Sequence, residues 1–145
     1  VTIPYSVFRM CKTEAKPKEL KPSGVPSPIW CEHLLKGLGE AEKPLFVTEG
    51  VFDAMSLTSL LDVQACALCG ASGTTRLLQI MAHTPKDKRP NLRLSLDSDE
   101  AGARFTETMS EGLKGLGIPH VITKPYPKGC KDANELLIME RGLCG

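Results

Sequence analysis

The segment from Leu92 to Gly102 constrains the fold of this chain more than any other. Leucines at alternate positions of residues 92–96 are typical of a β-strand. The strand ends at an acidic turn that contains Asp97 and Asp99, and helical spacing begins directly after it. In open α/β sheets, ligands bind at the carboxyl ends of strands, because loops and helix N-termini meet there. The segment therefore predicts two carboxylates at a ligand-binding edge, a pattern that suits a hard divalent cation such as Mg²⁺.

The acidic turn has other interpretations. Asp99 is also suited to cap the following helix, because its oxygen can accept bonds from free backbone N–H groups of the first turn. For an isolated Asp-x-Asp pattern, the sequence leaves capping and metal binding open. An EF-hand calcium loop is excluded, because the twelfth position of that loop requires a bidentate Glu and is Thr108 here.

Length and composition limit the class of protein. The 145 residues suffice for one domain with a hydrophobic core, and the net charge of +1 gives no general argument for nucleic-acid binding. The chain contains no apolar run of membrane-spanning length and no signal-peptide pattern, so we expect a soluble, cytoplasmic protein without a membrane partner. Because the chain begins at Val1 rather than Met, we expect it to be a piece of a larger protein.

Strand and helix patterns alternate through the second part of the chain. They predict strands at residues 45–49, 65–68, 92–96 and 119–123, and helices at residues 52–61, 74–82, 100–116 and 132–141. This alternation predicts an α/β fold in which a four-stranded parallel sheet is covered by helices on both faces.

The first part of the chain has a different composition. Residues 1–43 are rich in proline and lysine and lack strong periodicity, which predicts a connecting segment before a regular domain at residues 44–145. Within the segment, Trp30, Leu34, Leu35 and Leu38 are spaced to form an apolar patch that docks on the following domain.

Two short patterns admit a binding role and a structural role. Cys66 and Cys69 form a C-x-x-C, a pattern that can begin a zinc site. Residues three apart on a strand face opposite ways, so we predict buried free thiols instead. All six cysteines are expected to be reduced. The turn at residues 70–73 suggests a phosphate-binding loop, yet it lacks the Gly-Lys-Ser/Thr ending of a Walker loop. A structural glycine turn is the favoured interpretation.

Acidic residues follow several of the predicted elements. The first strand ends at Glu49 and the third at Asp97, while Asp53 and Asp132 lie in the first turns of their helices. In a parallel sheet these positions meet at one edge. The predicted acidic cluster comprises Glu49, Asp53, Asp97, Asp99 and Asp132. Such carboxylates repel one another unless cations neutralise them, so the cluster predicts a metal site suited to phosphoryl transfer, with Glu49 as ligand or general acid/base.

This set of motifs resembles the Toprim domain, which bacterial DnaG-type primases, topoisomerases and some nucleases share. The resemblance rests on residues 49–54 (EGVFDA), 97–102 (DSDEAG) and 131–137 (KDANELL), with residues 67–73 (ALCGASG) as the turn after the second strand. The spacing of Asp53 from Glu49 is similar to that of the primase branch. Asn134 departs from the pattern, because primases usually have a second aspartate there.

The resemblance implies a Toprim-type, Rossmann-like fold and a metal-dependent nucleotidyl-transfer function in a DNA primase-like protein of a mobile element or phage. It implies Mg²⁺ or Mn²⁺ as cofactor, held by Asp97, Asp99, Asp53 and Asp132 around a catalytic Glu49. It implies a DNA template and nucleotides as partners, with a replicative helicase as a further one. The basic loop that carries Lys86, Lys88 and Arg89 is the predicted nucleic-acid contact. A metal-dependent Toprim nuclease and a non-catalytic docking module of the replication machinery are the alternatives.

Overall fold

A computed structural model describes residues 27–142 and a turn at residues 23–24. It also describes two short strands, β1 (Phe8–Arg9) and β2 (Glu19–Leu20), which pair antiparallel. Cys11 and Cys144, two of the predicted free thiols, lie outside the described residues, as does much of the predicted connecting segment.

The main sheet contains four parallel strands. They are β3 (Leu45–Thr48), β4 (Gln64–Ala67), β5 (Leu92–Leu94) and β6 (His120–Ile122), in the spatial order β4-β3-β5-β6. Strand β5 is shorter than predicted, although its pairing continues beyond Leu94, because the Ser95 N–H donates to the Val47 carbonyl at 2.9 Å. The predicted four-stranded parallel sheet is confirmed.

In the part of the chain that the structure describes, four α-helices cover the sheet. They are α1 (Val51–Leu61), α2 (Ser72–His83), α3 (Glu100–Gly115) and α4 (Ala133–Glu140). Helices α1 and α4 pack together on one face, while α2 and α3 cover the other. This arrangement confirms the predicted α/β fold with helices on both faces. Within the described residues, every helix is too short or too polar to cross a membrane.

The hydrophobic core has two unequal parts, one on each face of the sheet. The larger part lies under α2 and α3 and includes Leu45, Val47, Cys66, Leu77, Met81, Leu92, Leu94, Met109 and Leu113. The smaller part lies under α1 and consists of small side chains, Ala54, Ala65, Ala67 and Cys69. Because Cys66 belongs to one part and Cys69 to the other, the two thiols face opposite ways, as predicted.

The segment before β3 packs on the sheet. Trp30 and Ala67 exchange two backbone hydrogen bonds of 2.9 and 3.2 Å, which place Trp30 beside the outer strand β4. A 3-10 helix follows at Glu32–Lys36, and its Leu35 is fully buried in the larger core. Leu38 is 72% exposed, so the predicted docking patch is wrong at this position. The division of the chain at residue 43 stays a prediction.

Two glycines allow helices to start close to the ends of strands. A Cβ atom added to Gly102 in α3 would overlap the backbone carbonyl of Asp97, and one added to Gly73 in α2 would overlap that of Leu68. Gly73 therefore has the structural role favoured for the glycine turn. Gly102 brings the first turn of α3 against the acidic end of β5.

We expect Gly102→Ala to lower the free energy of unfolding by about 1 to 3 kcal/mol, the cost of overpacking against rigid backbone. Urea denaturation followed by circular dichroism measures this change. Gly115→Ala is the matched control in the same helix. An added Cβ there meets nothing within 4 Å, so that variant should be more stable by about 0.4 to 1 kcal/mol. Equal effects of the two substitutions would contradict the argument.

Candidate metal centre

Two carboxylates meet where the central strands β3 and β5 end. Val47 pairs with Leu94 in the parallel register, so Glu49 and Asp97 leave the sheet side by side. The Asp97 backbone N–H donates to Glu49 Oε1 at 3.3 Å. Both side chains are partly buried. The structure thus brings together the two strand-end acids, as expected from the parallel sheet.

Helices α1 and α4 add two further carboxylates. Asp53, in the first turn of α1, accepts the Asn134 backbone N–H on Oδ1 at 3.1 Å. Asp132 caps α4, because its Oδ1 accepts the Glu135 N–H at 2.8 Å. The carboxyl end of the sheet, where Glu49, Asp53, Asp97 and Asp132 lie, is called the acidic edge. The backbone of Asn134 contacts this edge, while its side-chain oxygen accepts a 3.4 Å bond from the Ser56 hydroxyl.

Asp99 has the capping role that the sequence left open. Its Oδ1 accepts the Gly102 N–H at 2.8 Å, at the N-terminus of α3. The residue is exposed. This bond occupies one oxygen, and a metal-binding role for the other stays a prediction.

Lys131 places a positively charged side chain among these carboxylates, and the sequence analysis assigned it no role. Its Nζ lies 3.9 Å from Asp97 Oδ2 and 3.8 Å from Asp132 Oδ2. The Ser98 N–H donates to the Lys131 carbonyl at 2.6 Å, which joins the loop before α4 to the acidic turn after β5. Lys131 directly precedes the capping Asp132 in the sequence, but no local pattern predicts its contact with the turn after β5.

Burial and mutual repulsion determine the charge state of these carboxyl groups. Burial, followed by the charge of Asp132, raises the pKa of Asp53 from its ordinary value of 3.8 to about 7. Burial, followed by the charge of Glu49, raises the pKa of Asp97 from 3.8 to about 7. Burial also raises the pKa of Glu49. Lys131 therefore offsets only part of the repulsion.

The donor chemistry of this edge fits a hard divalent cation. All the acidic groups present oxygen atoms, which Mg²⁺ and Mn²⁺ prefer. Burial first and repulsion between the carboxylates second raise the pKa values of Asp53 and Asp97, and a bound cation would favour the charged forms of both. As placed within residues 27–142, no three acidic, histidine or cysteine side chains surround one point closely enough to hold an ion. Metal binding is therefore a proposal that rests on donor chemistry and charge.

The predicted nucleic-acid loop lies at the opposite edge of the sheet. It connects α2 to the start of β5, where Lys86 and Lys88 are exposed in a short 3-10 helix. Arg89 Nε donates to the Thr84 carbonyl at 3.0 Å and so holds the loop together. The structure does not bring these three residues to the acidic edge, and their contact with nucleic acid stays a prediction.

Helices cover both faces of this parallel sheet, and carboxylates lie at the carboxyl ends of its central strands. This combination defines an α/β domain suited to binding cations or phosphate groups. The chain belongs to the Toprim-like family, whose model matches residues 46–137. The resemblance inferred from the motifs is confirmed for the family.

Solved structures that are similar to this chain include two primases. The primase fragment of the bacteriophage T7 primase-helicase protein is 26% identical, with a TM-score of 0.53, over 74% of this chain and 42% of that one. The Aquifex aeolicus primase, with its zinc-binding and RNA polymerase domains, is 23% identical, with a TM-score of 0.63, over 95% of this chain and 34% of that one. This chain thus spans less than half of either structure. A search of curated protein sequences found no match.

We expect the metal-free protein to lose stability as the pH rises from about 4 to about 7. In the folded state the carboxyl groups of Asp53 and Asp97 have pKa values of about 7, above the ordinary 3.8. Between these values the folded protein holds protons that the unfolded chain has released, so raising the pH favours unfolding. Urea denaturation in EDTA across this range measures the effect.

The double variant Asp53→Asn/Asp97→Asn provides the control for this pH dependence. Its stability should depend on pH much less than that of the wild type over the same range, with a residual dependence because burial still raises the pKa of Glu49. At about pH 8 it should be as stable as the wild type or more stable, by about 0.5 to 2 kcal/mol. A loss of several kcal/mol would mean that these carboxylates support the fold.

Proposed function

We propose that this chain is the metal-dependent nucleotidyl-transfer domain of a DNA primase-like protein. The observation that carries the proposal is the convergence of Glu49, Asp53, Asp97 and Asp132 at one edge of the sheet. Such a group of partly buried carboxylates is unfavourable without a cation. Binding of a cation to these carboxylates would therefore stabilise the protein, and phosphoryl transfer uses bound cations.

Each acidic residue has a proposed role. Asp97 and Asp53 hold Mg²⁺ or Mn²⁺, with Asp132 and Asp99 contributing the oxygens that are not used in helix capping. Once bound, the ion would stabilise negative charge on the phosphoryl oxygens of a substrate. Glu49 accepts or donates a proton at its carboxylate, a role favoured by its position at the end of β3 and by burial, which raises its pKa above the ordinary value.

The primase assignment is supported by the similarity to the T7 primase fragment, which belongs to a primase-helicase protein. On this basis the partners are a DNA template, nucleotides and a replicative helicase. A mobile-element or phage origin stays a prediction.

Hydrolysis of a nucleic-acid strand would use the same edge, so assays of primer synthesis and duplex cleavage on the full natural protein distinguish a primase from a nuclease.

Calorimetric titration with Mn²⁺ tests the metal site. We expect Asp97→Asn and Asp99→Asn each to weaken binding by at least about tenfold, since even the residues that orient metal ligands contribute about 10- to 100-fold. Asp87→Asn is the control, because this exposed carboxylate lies in the loop at the opposite edge. Unchanged affinity in the Asp97→Asn/Asp99→Asn double variant would overturn the proposed site.

Glu49→Gln in the full natural protein tests the catalytic role. We expect phosphoryl transfer to fall by about two orders of magnitude or more, the scale of a positioned acid or base. Folding and nucleic-acid binding should stay nearly unchanged. If Glu49 is chiefly a metal ligand, excess Mn²⁺ should restore part of the activity. Activity within a few-fold of the wild type would remove Glu49 from the mechanism.

A further inference from the structure

Two cysteines lie opposite each other where the segment before β3 meets the sheet. Trp30 and Ala67 donate backbone hydrogen bonds to each other, so they form a hydrogen-bonded antiparallel pair. One step further along, Cys31 is opposite Cys66. This step leads to a non-hydrogen-bonded pair, whose Cα atoms lie about 4.5 Å apart in a regular ladder. Disulfides join Cα atoms that are about 4.4 to 6.8 Å apart, so the register suits a cross-strand disulfide.

Both cysteines lie on the same face of the sheet. Cys66 is fully buried in the larger core, and Cys31 packs against that core. Trp30 and Ala67 contact the smaller core on the other face, as the alternation of side chains along a strand requires. The two thiols are close enough for a charge on Cys31 to raise the pKa of Cys66, in addition to the larger effect of burial.

Cys69 is the other cysteine near Cys66, but it faces the smaller core. Its backbone N–H donates to the Glu49 carbonyl at 3.0 Å, which holds it in the ladder with β3. A disulfide between Cys66 and Cys69 would have to join opposite faces of the sheet and break this pairing. The register therefore favours Cys31 as the partner of Cys66.

The backbone of Cys31 has a left-handed conformation, with φ of 59°. This conformation is uncommon for a residue with a Cβ atom, and such residues cluster at functional sites. Cys31 is only partly buried and lines a cleft of about 680 Å³ beside the acidic edge. A small oxidant that enters this cleft can reach Cys31, although Cys66 is fully buried.

We propose that Cys31 and Cys66 form an oxidation site, at which hydrogen peroxide converts the two thiols into a disulfide. The Cys31 sulfur attacks the peroxide, so that an S–O bond forms, the O–O bond breaks and one water leaves. The Cys66 sulfur then attacks the Cys31 sulfur. An S–S bond forms, the S–O bond breaks, and the Cys66 proton leaves with the oxygen as a second water. Two thiols are thus oxidised and one peroxide is reduced.

The surroundings of the two thiols make this reaction slow. Burial raises the pKa of Cys31 and of Cys66, and the thiolate is the form that reacts. The pair therefore stays reduced in an ordinary reducing environment and is oxidised only by an excess of peroxide. The disulfide would tie the segment before β3 to β4 beside the acidic edge. Neither step needs a metal ion or nucleic acid, so the oxidation site is independent of the proposed function.

Peroxide treatment of the folded chain tests the site. The background variant Cys11→Ser/Cys144→Ser removes the two thiols outside the described residues and leaves four cysteines. After excess peroxide, N-ethylmaleimide in denaturant labels the remaining thiols, and mass spectrometry of peptides locates them. We expect two of the four cysteines to lose their label, a disulfide that joins Cys31 to Cys66, and recovery of both labels with dithiothreitol. A Cys31 that stays reduced, stops at an oxygen acid or pairs with another cysteine would overturn the proposal.

Two further variants provide the matched comparison in the same background. Cys31→Ser should keep all three remaining thiols reactive after the same treatment. Cys69→Ala should still form the disulfide, because Cys69 faces the other part of the core. Circular dichroism checks that each variant is folded. Loss of the disulfide in folded Cys69→Ala would assign the bridge to that residue and contradict the proposed pair.

Thermal denaturation shows whether the disulfide fits the native register. A bridge that forms without distortion restricts the unfolded chain, so the melting temperature should rise by about 5 to 15 °C. Dithiothreitol should reverse the rise, and peroxide should not produce it in Cys31→Ser. A lower melting temperature of the oxidised protein would mean that the bridge distorts the sheet, which would overturn the native pairing.

Discussion

The parallel pairing of β3 with β5 is the constraint on which the rest of the structure depends. Leu45 and Val47 pair with Leu92 and Leu94 and are buried in the larger core, so the register cannot shift without moving apolar side chains to the other face. This register makes Glu49 and Asp97 leave the sheet together. The hydrophobic core therefore determines where the charges meet.

The acidic edge combines stabilising and destabilising interactions in the same residues. Asp99 and Asp132 stabilise α3 and α4 by capping them, which favours carboxylates at these helix starts even without a ligand. Asp53 and Asp97 are partly buried near other carboxylates, where the charged form is disfavoured. The helix caps thus fix Asp99 and Asp132 in place, while Asp53 and Asp97 are the carboxylates whose charge the proposed cation would offset.

The segment before β3 lines part of a cleft of about 680 Å³ beside the acidic edge, together with residues of the Toprim-like domain. Its 3-10 helix buries Leu35 in the larger core, and Trp30 extends the outer side of β4 by one bridged residue. The lining of this cleft thus comes partly from residues outside the range matched by the family model, 46–137. A similar domain with a different preceding segment would present a different surface beside the same acidic edge.

The sequence by itself determined the class of fold and the placement of acidic residues at the carboxyl end of the sheet. Alternating leucines and helical spacing are local patterns, and in a parallel sheet they require the strand-end acids to share one edge, so Glu49 and Asp97 were predictable. The tertiary structure alone decided the contacts between residues distant in the chain. The Ser98–Lys131 bond holds the loop of Lys131, whose ammonium group lies near Asp97 and Asp132, and the Trp30–Ala67 bridge fixes Trp30 beside β4. Neither contact has a local pattern, because each joins backbone groups brought together by the packing of the whole domain.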